Sequence, residues 1–324
     1  MVQEIAKNII YEALKQEAQD IYFLPREGCY HLYMRIGDER RLIAEHDSAE
    51  MASVISHFKF LSGMSVGEKR RCQLGSCDYV LSQDEVVMLR LSSVGDYRGL
   101  ESLVIRVLFS KRVTLNYWFD GLQTIKEKLS GRGLYLFSGP VGSGKTTLMH
   151  QLISERFKGH QVISIEDPVE IKDSSMLQLQ LNESIGMTYE ALIKLSLRHR
   201  PDVLIIGEIR DSETARAVVR ASLTGTVVFS TIHAKSIPGV YARLIELGVS
   251  EAELKNCLSG IAYQRLIGKG GVIDYATDHF QNHQPDQWNA QIAQLVADGY
   301  LSPEEGEIEK ITTEIPTQNH STFS

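Results

Sequence analysis

Residues Tyr135 to Leu148 read YLFSGPVGSGKTTL. Within them Gly139 to Thr146, GPVGSGKT, fit the phosphate-binding pattern G-x-x-x-x-G-K-[ST]. The flanks suit the pattern. Leu134-Tyr135-Leu136-Phe137 is a short apolar run of strand character, and Thr147-Leu148-Met149-His150-Gln151-Leu152-Ile153 continues with helical spacing. A strand therefore feeds a glycine loop that opens a helix. The glycines let the backbone wrap an anion, and the helix N-terminus adds partial positive charge there. The candidate nucleotide site is Gly139, Pro140, Val141, Gly142, Ser143, Gly144, Lys145, Thr146 and Thr147. Lys145 is expected to reach the β- and γ-phosphates of ATP, the Thr146 hydroxyl to ligate Mg²⁺, and Thr147 to help at the α-phosphate. A glycine-rich surface turn is the bland alternative; the strand–loop–helix context argues against it.

At 324 residues the chain has room for two domains. Its 43% hydrophobic and 23% charged content is that of a soluble globular protein. No run is long enough to span a bilayer, and MVQEIAKNIIYEALKQEAQD lacks the basic and apolar regions of a signal peptide. A cytoplasmic location is therefore expected. The cysteines, Cys29, Cys72, Cys77 and Cys257, form no CxxC and suggest a reducing compartment. The net charge of −7 is uneven: from Asp274 onward there are nine acidic residues and one basic, Lys310. A balanced body and an acidic tail disfavour direct nucleic-acid binding by a broad basic surface.

Glu4 to Asp20 read as an amphipathic helix, with Ile5, Ile9, Ala13 and Leu14 on one face. Short strand-like segments follow at Ile21–Leu24, Tyr30–Ile36, Tyr79–Leu81, Val86–Leu91 and Ser102–Val107, with a helix at Ala49–Leu61. Residues 1–110 are thus expected to form an α+β domain, and 111–133 a linker and helix. From Leu134 the rhythm becomes strand, helix, strand. Strands are expected at 134–138, 162–165, 203–206 and 227–230, and helices at about 145–157, 189–198, 213–223 and 238–247. Such alternation implies a mainly parallel sheet covered on both faces. Gly225 suits the C′ position of the third of these helices. Lys269-Gly270-Gly271 reads as a break that ends this domain at 270. Residues 271–324 then read as an acidic helical tail whose last dozen residues are disordered.

Three strand ends carry polar chemistry. Val203-Leu204-Ile205-Ile206-Gly207-Glu208 is an apolar strand ending in a carboxylate, placed as a general base for water attacking the γ-phosphate. Val162 to Glu166, followed by Asp167 and Glu170, crowds three carboxylates, which favours a nearby cation. Glu166 is the candidate for water or metal contact, and Asp167 and Glu170 are structural candidates. Phe229-Ser230-Thr231-Ile232-His233 ends in a histidine, a candidate γ-phosphate sensor. Arg198, Arg200, Arg210 and Arg216 flank the Glu208 strand and are candidates for countercharge in the transition state.

Taken in order, the phosphate loop, ISIEDPVE, LRHRPDVLIIGEIRDSETA and LTGTVVFSTIHA resemble the four motifs of the secretion ATPase superfamily, which powers type II secretion and type IV pili. Upstream, Asp20 to Pro25, Met34 to Gly37 and Gly67 to Gln73 are similar to its N-domain motifs, so the resemblance covers about residues 15–268. It implies a PAS-like α+β N-domain followed by a RecA-like P-loop ATPase domain in a homo-hexamer. It also implies Arg90 and Arg106 as arginines that reach a neighbouring subunit's nucleotide. The implied partner is an inner-membrane pilus platform protein, met at the inner face of the membrane. Thr226 replaces a histidine usual after Thr224-Gly225. The tetracysteine zinc module, the long N-terminal domain and the AIRNLIRE motif of retraction ATPases are missing. The short form resembles the branch that assembles competence pili for DNA uptake. Type II secretion or adhesion-pilus assembly, and a nucleotide-binding scaffold with little turnover, are the alternatives.

Overall fold

The computed structural model describes residues 2–312 apart from 38, 83–84, 109–114, 130 and 269. Two compact units form: Met1–Lys111 with Glu170–Lys172, and Arg112–Val169 with Asp173–Ser324.

The first unit runs α1 (Val2–Lys15), β1 (Asp20–Pro25), β2 (Cys29–Ile36), β3 (Glu39–Asp47), α2 (Ser48–Leu61), β4 (Gln73–Val80), β5 (Val86–Gly95) and β6 (Glu101–Leu108). Its sheet is antiparallel throughout, in the order β3-β2-β1-β6-β5-β4. The two-residue period of the strands sends Ile21, Phe23, Leu32, Leu89, Leu103 and Ile105 to one face. There Ile9 and Ile10 of α1 and Val54 and Phe58 of α2 cover them. Asp47 starts α2 by accepting from the Ala49 and Glu50 amides, a cap worth about 1 kcal/mol. Strand β3 was not expected. Most of its side chains are exposed, so no alternation marks it.

The second unit runs α3 (Gly121–Lys128), β7 (Gly133–Ser138), α4 (Lys145–Arg156), β8 (Val162–Glu166), β9 (Leu177–Gln180), α5 (Tyr189–Arg198), β10 (Val203–Glu208), α6 (Ser212–Leu223) and β11 (Val227–Ile232). It continues with α7 (Ile237–Glu246), α8 (Glu251–Cys257), β12 (Leu258–Ile267), β13 (Gly270–Ala276), α9 (Asp286–Ala297) and α10 (Pro303–Glu309). The sheet order is β13-β12-β7-β11-β10-β8-β9, parallel except for the antiparallel pair β12–β13. The central strands are buried on both faces, which is why they read as continuous apolar runs. Leu136, Ile206 and Val228 pack with residues of α6, α7 and α9, while Phe137, Ile205 and Phe229 pack with Leu148 and Leu152 of α4. Gly225, at φ 92°, follows the C-cap of α6 as its position predicted.

The expected break at Lys269-Gly270-Gly271 is corrected for the two glycines; Lys269 lies outside the described residues. Gly270 and Gly271 begin β13, which pairs with β12 from Ile267↔Gly270 to Ile261↔Ala276. Trp288, Ile292 and Leu295 of α9 are buried in the core that also holds Leu204 and Val228. The stretch read as a tail from 271 therefore belongs to this unit as far as α10. The expectation for the last dozen residues falls on 313–324, outside the described residues.

Candidate functional site

The phosphate loop joins β7 to α4, as the sequence predicted. Gly139 sits at φ 144°, where a Cβ would lie 2.1 Å from the Gln264 carbonyl oxygen. Gly144, at φ 83°, caps α4 in the left-handed region, and a Cβ there would meet Leu115 Cδ1 at 2.4 Å. The loop is thus shaped by backbone approaches that only glycine permits. Lys145 is buried, and its ammonium donates to the Gly139 and Pro140 carbonyls at 3.0 and 2.8 Å. Thr146 and Thr147 are half-buried and Val141 stands exposed at the loop tip. The Ser143 hydroxyl is buried and has no hydrogen-bond partner among the described residues. A glycine-shaped loop at a helix N-terminus, holding a lysine and an unsatisfied hydroxyl, fits a polyphosphate. Thr146 and the nearby carboxylates fit the divalent cation that accompanies one.

The strand order places the other candidates in a row at the carboxyl ends of the sheet: the loop after β7, His233 after β11, Glu208 on β10 and Glu166 on β8. His233 Nδ1 donates to the Gly139 carbonyl at 3.2 Å, tying this histidine directly to the loop. Its Nε2 lies 4.0 Å from Glu208 Oε2. Glu208 is mostly buried and pairs with Arg210, whose guanidinium also lies 3.9 Å from Asp167 Oδ2. The hydrogen bond that Arg210 donates to Glu208 holds the arginine's pKa above its ordinary value. The β10–β11 register shifts between Ile206 and Glu208. Thr231 Oγ1 then donates to the Gly207 carbonyl at 2.7 Å and secures the irregular strand end. Glu166 is buried and accepts from Ser164 Oγ at 2.6 Å and Gln178 Nε2 at 3.2 Å.

The arginines separate. Arg210 contacts Glu208, but Arg198 and Arg200 precede β10 and lie at its amino end, away from the row. Arg216, in α6, is 3.3 Å from where a Gly248 Cβ would stand, and its charge acts on Glu253 of α8. Arg90 and Arg106 belong to the first unit. Register pairs Arg40 with Arg35, Arg35 with Asp20, Asp20 with Arg106 and Arg106 with Arg90. Directly opposed residues share a sheet face, so four arginines and one aspartate form a row across it. This is the face opposite Ile21 and Phe23. Arg106 Nε donates to Asp20 Oδ1 at 2.8 Å, and Arg35 Nε to the Tyr22 hydroxyl at 3.2 Å.

Two residues at the site escaped the sequence reading. Gln264 on β12 donates through Nε2 to the Ser143 carbonyl at 2.5 Å. Tyr189 opens α5, and its hydroxyl lies 3.1 Å from where a Gly207 Cβ would stand. Burial raises the Tyr189 pKa, and the charges of Glu208 and Asp167 raise it further. A polar residue amid the apolar β12 was the available signal for Gln264; Tyr189 gave none.

Comparison with known proteins agrees with this geometry. The profile of the family described as type II/IV secretion system protein matches residues 1–297. Competence protein ComGA of Streptococcus pneumoniae is 64% identical over 96% of this chain and 99% of its own length. Competence protein ComGA of Bacillus subtilis is 38% identical over 82% of this chain and 76% of its own. Among solved structures, the pilus retraction motor PilT with bound ADP superposes with a TM-score of 0.74. It covers 95% of this chain and 97% of its own at 22% identity, a likeness of fold.

Proposed function

The chain belongs to the type II/IV secretion system protein family, and from that premise we propose that it is the ATP-hydrolysing motor that assembles a competence pilus or pseudopilus for DNA uptake. Relatives named as competence proteins, one of them matching nearly end to end, support the competence assignment over other pili. The observation that carries the catalytic reading is the join between loop and carboxylate: His233 bonds the loop at Gly139 and faces Glu208 across 4.0 Å.

In this reading Lys145 exchanges its loop carbonyls for phosphate oxygens, and Thr146 would hold Mg²⁺, which when bound would supply countercharge to the phosphates. Glu208 orients water and takes its proton. His233 transmits the state of the γ-phosphate from the loop, and Arg210 steadies Glu208. Glu166, held by Ser164 and Gln178, lines the cation side. The positive row bearing Arg90 and Arg106 suits a triphosphate presented by a neighbouring subunit in a homo-hexamer, and the moving ring would act on a membrane platform protein. Among the described residues no helix is long and apolar enough to cross a membrane, which suits peripheral attachment.

Steady-state hydrolysis and nucleotide binding by the purified chain test this. Lys145→Ala should lose ATP binding. Glu208→Gln should keep binding and lose turnover by 10²-fold or more. Wild-type turnover in Glu208→Gln would sink the proposal.

A further inference from the structure

Outside the nucleotide site, the described residues hold one cluster with the donor set of a metal centre: Cys29, His31 and Glu45, whose ligand atoms all lie within 4.8 Å of one another. It lies on the β2–β3 hairpin of the first unit. Cys29 and His31 are two residues apart on β2 and share the face opposite buried Tyr30 and Leu32. Glu45 stands directly opposite His31 in register. We propose that these three side chains bind a zinc-class divalent cation.

Three features favour a cation. A thiol, an imidazole and a carboxylate are the ligand types zinc takes, and tetrahedral coordination at its usual bond lengths separates ligands by about 3.3–3.8 Å. Side-chain rotations closing the cluster by about an ångström would complete it. Second, the histidine is already oriented. His31 Nδ1 lies 3.2 Å from the Tyr33 hydroxyl, which can donate to that nitrogen or accept its N–H; in the metal-bound tautomer it accepts, and Nε2 is the electron-pair donor. Third, that Nε2 faces Glu45 Oε1 at 3.3 Å. Without metal, Nε2–H can bond that carboxylate; a cation takes the proton's place between the two groups as the imidazole shifts to its Nδ1–H tautomer. Water completes the fourth coordination position. Binding forms bonds from the metal to Cys29 Sγ, His31 Nε2 and a Glu45 oxygen, and the thiol proton passes to solvent. The ion would clip the largely exposed edge strand β3 to β2.

The test titrates the full-length, reduced chain with cobalt(II) alone, then displaces it with zinc(II) alone against a chromophoric chelator. One equivalent of cobalt should produce thiolate charge-transfer absorption that zinc abolishes. Cys29→Ser should remove the absorption, and His31→Ala and Tyr33→Phe should each weaken zinc at least tenfold. Cys72→Ser and Cys77→Ser should match wild type, as should Lys145→Ala, which separates this site from the phosphate loop. Zinc should raise the thermal midpoint of wild type and leave that of Cys29→Ser unchanged. Undiminished absorption in Cys29→Ser, or no thiolate band in wild type, would overturn the proposal.

Discussion

Gln264 holds Ser143: the side-chain amide at the far end of β12 donates to a carbonyl in the phosphate loop, 121 residues earlier, at 2.5 Å. The same residue's backbone carbonyl closes over Gly139. β12 is parallel to β7, with Tyr263 paired to Ser138, so Gln264 comes out beside the loop as β7 enters it. Removing the amide leaves a buried carbonyl unsatisfied, at a cost of about 1–3 kcal/mol. If the loop must keep this shape to bind nucleotide, Gln264→Ala should weaken ATP about tenfold by calorimetry. The fold, followed by circular dichroism, should persist. Unchanged affinity would reduce Gln264 to a packing residue.

Gly144→Ala addresses the same loop from its backbone. The position is left-handed, and the new methyl would strike Leu115 Cδ1 and approach Gln264 Nε2 at 2.9 Å. Ordinary αL strain of about 1–2 kcal/mol adds to that clash. Nucleotide binding should be lost, with thermal stability lowered by several degrees. Measured ATP affinity within twofold of wild type would show that the loop tolerates another path.

The readings that worked and those that failed divide along one physical line. The gathering of Glu166, Glu208 and His233 at one sheet edge was legible because each ends an apolar run with a polar group, and a parallel sheet collects such ends on one side. The glycine loop was legible because its geometry requires glycines at fixed spacing. β3 was missed because Glu39, Arg40 and Arg41 face solvent, so nothing in its pattern alternates. β12 and β13 were missed because glycines and polar residues interrupt them; Gly260, for one, adjoins the Tyr275 hydroxyl and the Tyr135 ring, contacts formed only on folding. The arginine row was invisible for a related reason. Arg35, Asp20, Arg106 and Arg90 are dispersed along the chain, and only strand register aligns them.

That row makes its own prediction. Three strands contribute Arg35, Arg106 and Arg90, with Asp20 as the carboxylate among them. Like charges opposed across a sheet repel, so removing one should not harm folding. Arg90→Ala should therefore leave the thermal midpoint within a degree or two. It should leave ATP affinity of the dilute protomer unchanged, yet cut hydrolysis per subunit at least tenfold in the proposed ring. Equal loss of activity in dilute and assembled protein would exclude a role across subunits.

Arg210 and Glu208 form a partly exposed ion pair, worth under about 1 kcal/mol to stability. Arg210→Ala should accordingly barely change the denaturation midpoint. Its effect should fall on kcat, because the carboxylate loses the partner that orients it, while KM for ATP stays near wild type. Rescue of kcat by Arg210→Lys would indicate that charge suffices; failure of rescue would indicate that the guanidinium bridge toward Asp167 matters.

Asp274 and His283 give a pH-dependent test of the region misread as a tail. Asp274, on β13, is buried, and His283 Nε2 lies 3.0 Å from both carboxylate oxygens. Burial raises the Asp274 pKa above 3.8 even though His283 pulls it down. A carboxyl with a raised folded-state pKa binds protons more readily folded than unfolded. Its contribution to stability is therefore most favourable at low pH and declines as pH rises from about the unfolded value through the folded one. His283→Ala removes the group that opposes this shift and strands a buried carboxylate, a loss on the order of 3 kcal/mol at pH 7. At pH 4.5 the stranded carboxyl can take up a proton, so the penalty should shrink by at least half. Urea denaturation of wild type and His283→Ala at both pH values measures the difference. On an Asp274→Asn background, where no carboxylate is left to strand, the cost of His283→Ala should lose most of this pH dependence. An equal penalty for His283→Ala at both pH values would mean that His283 acts through packing alone.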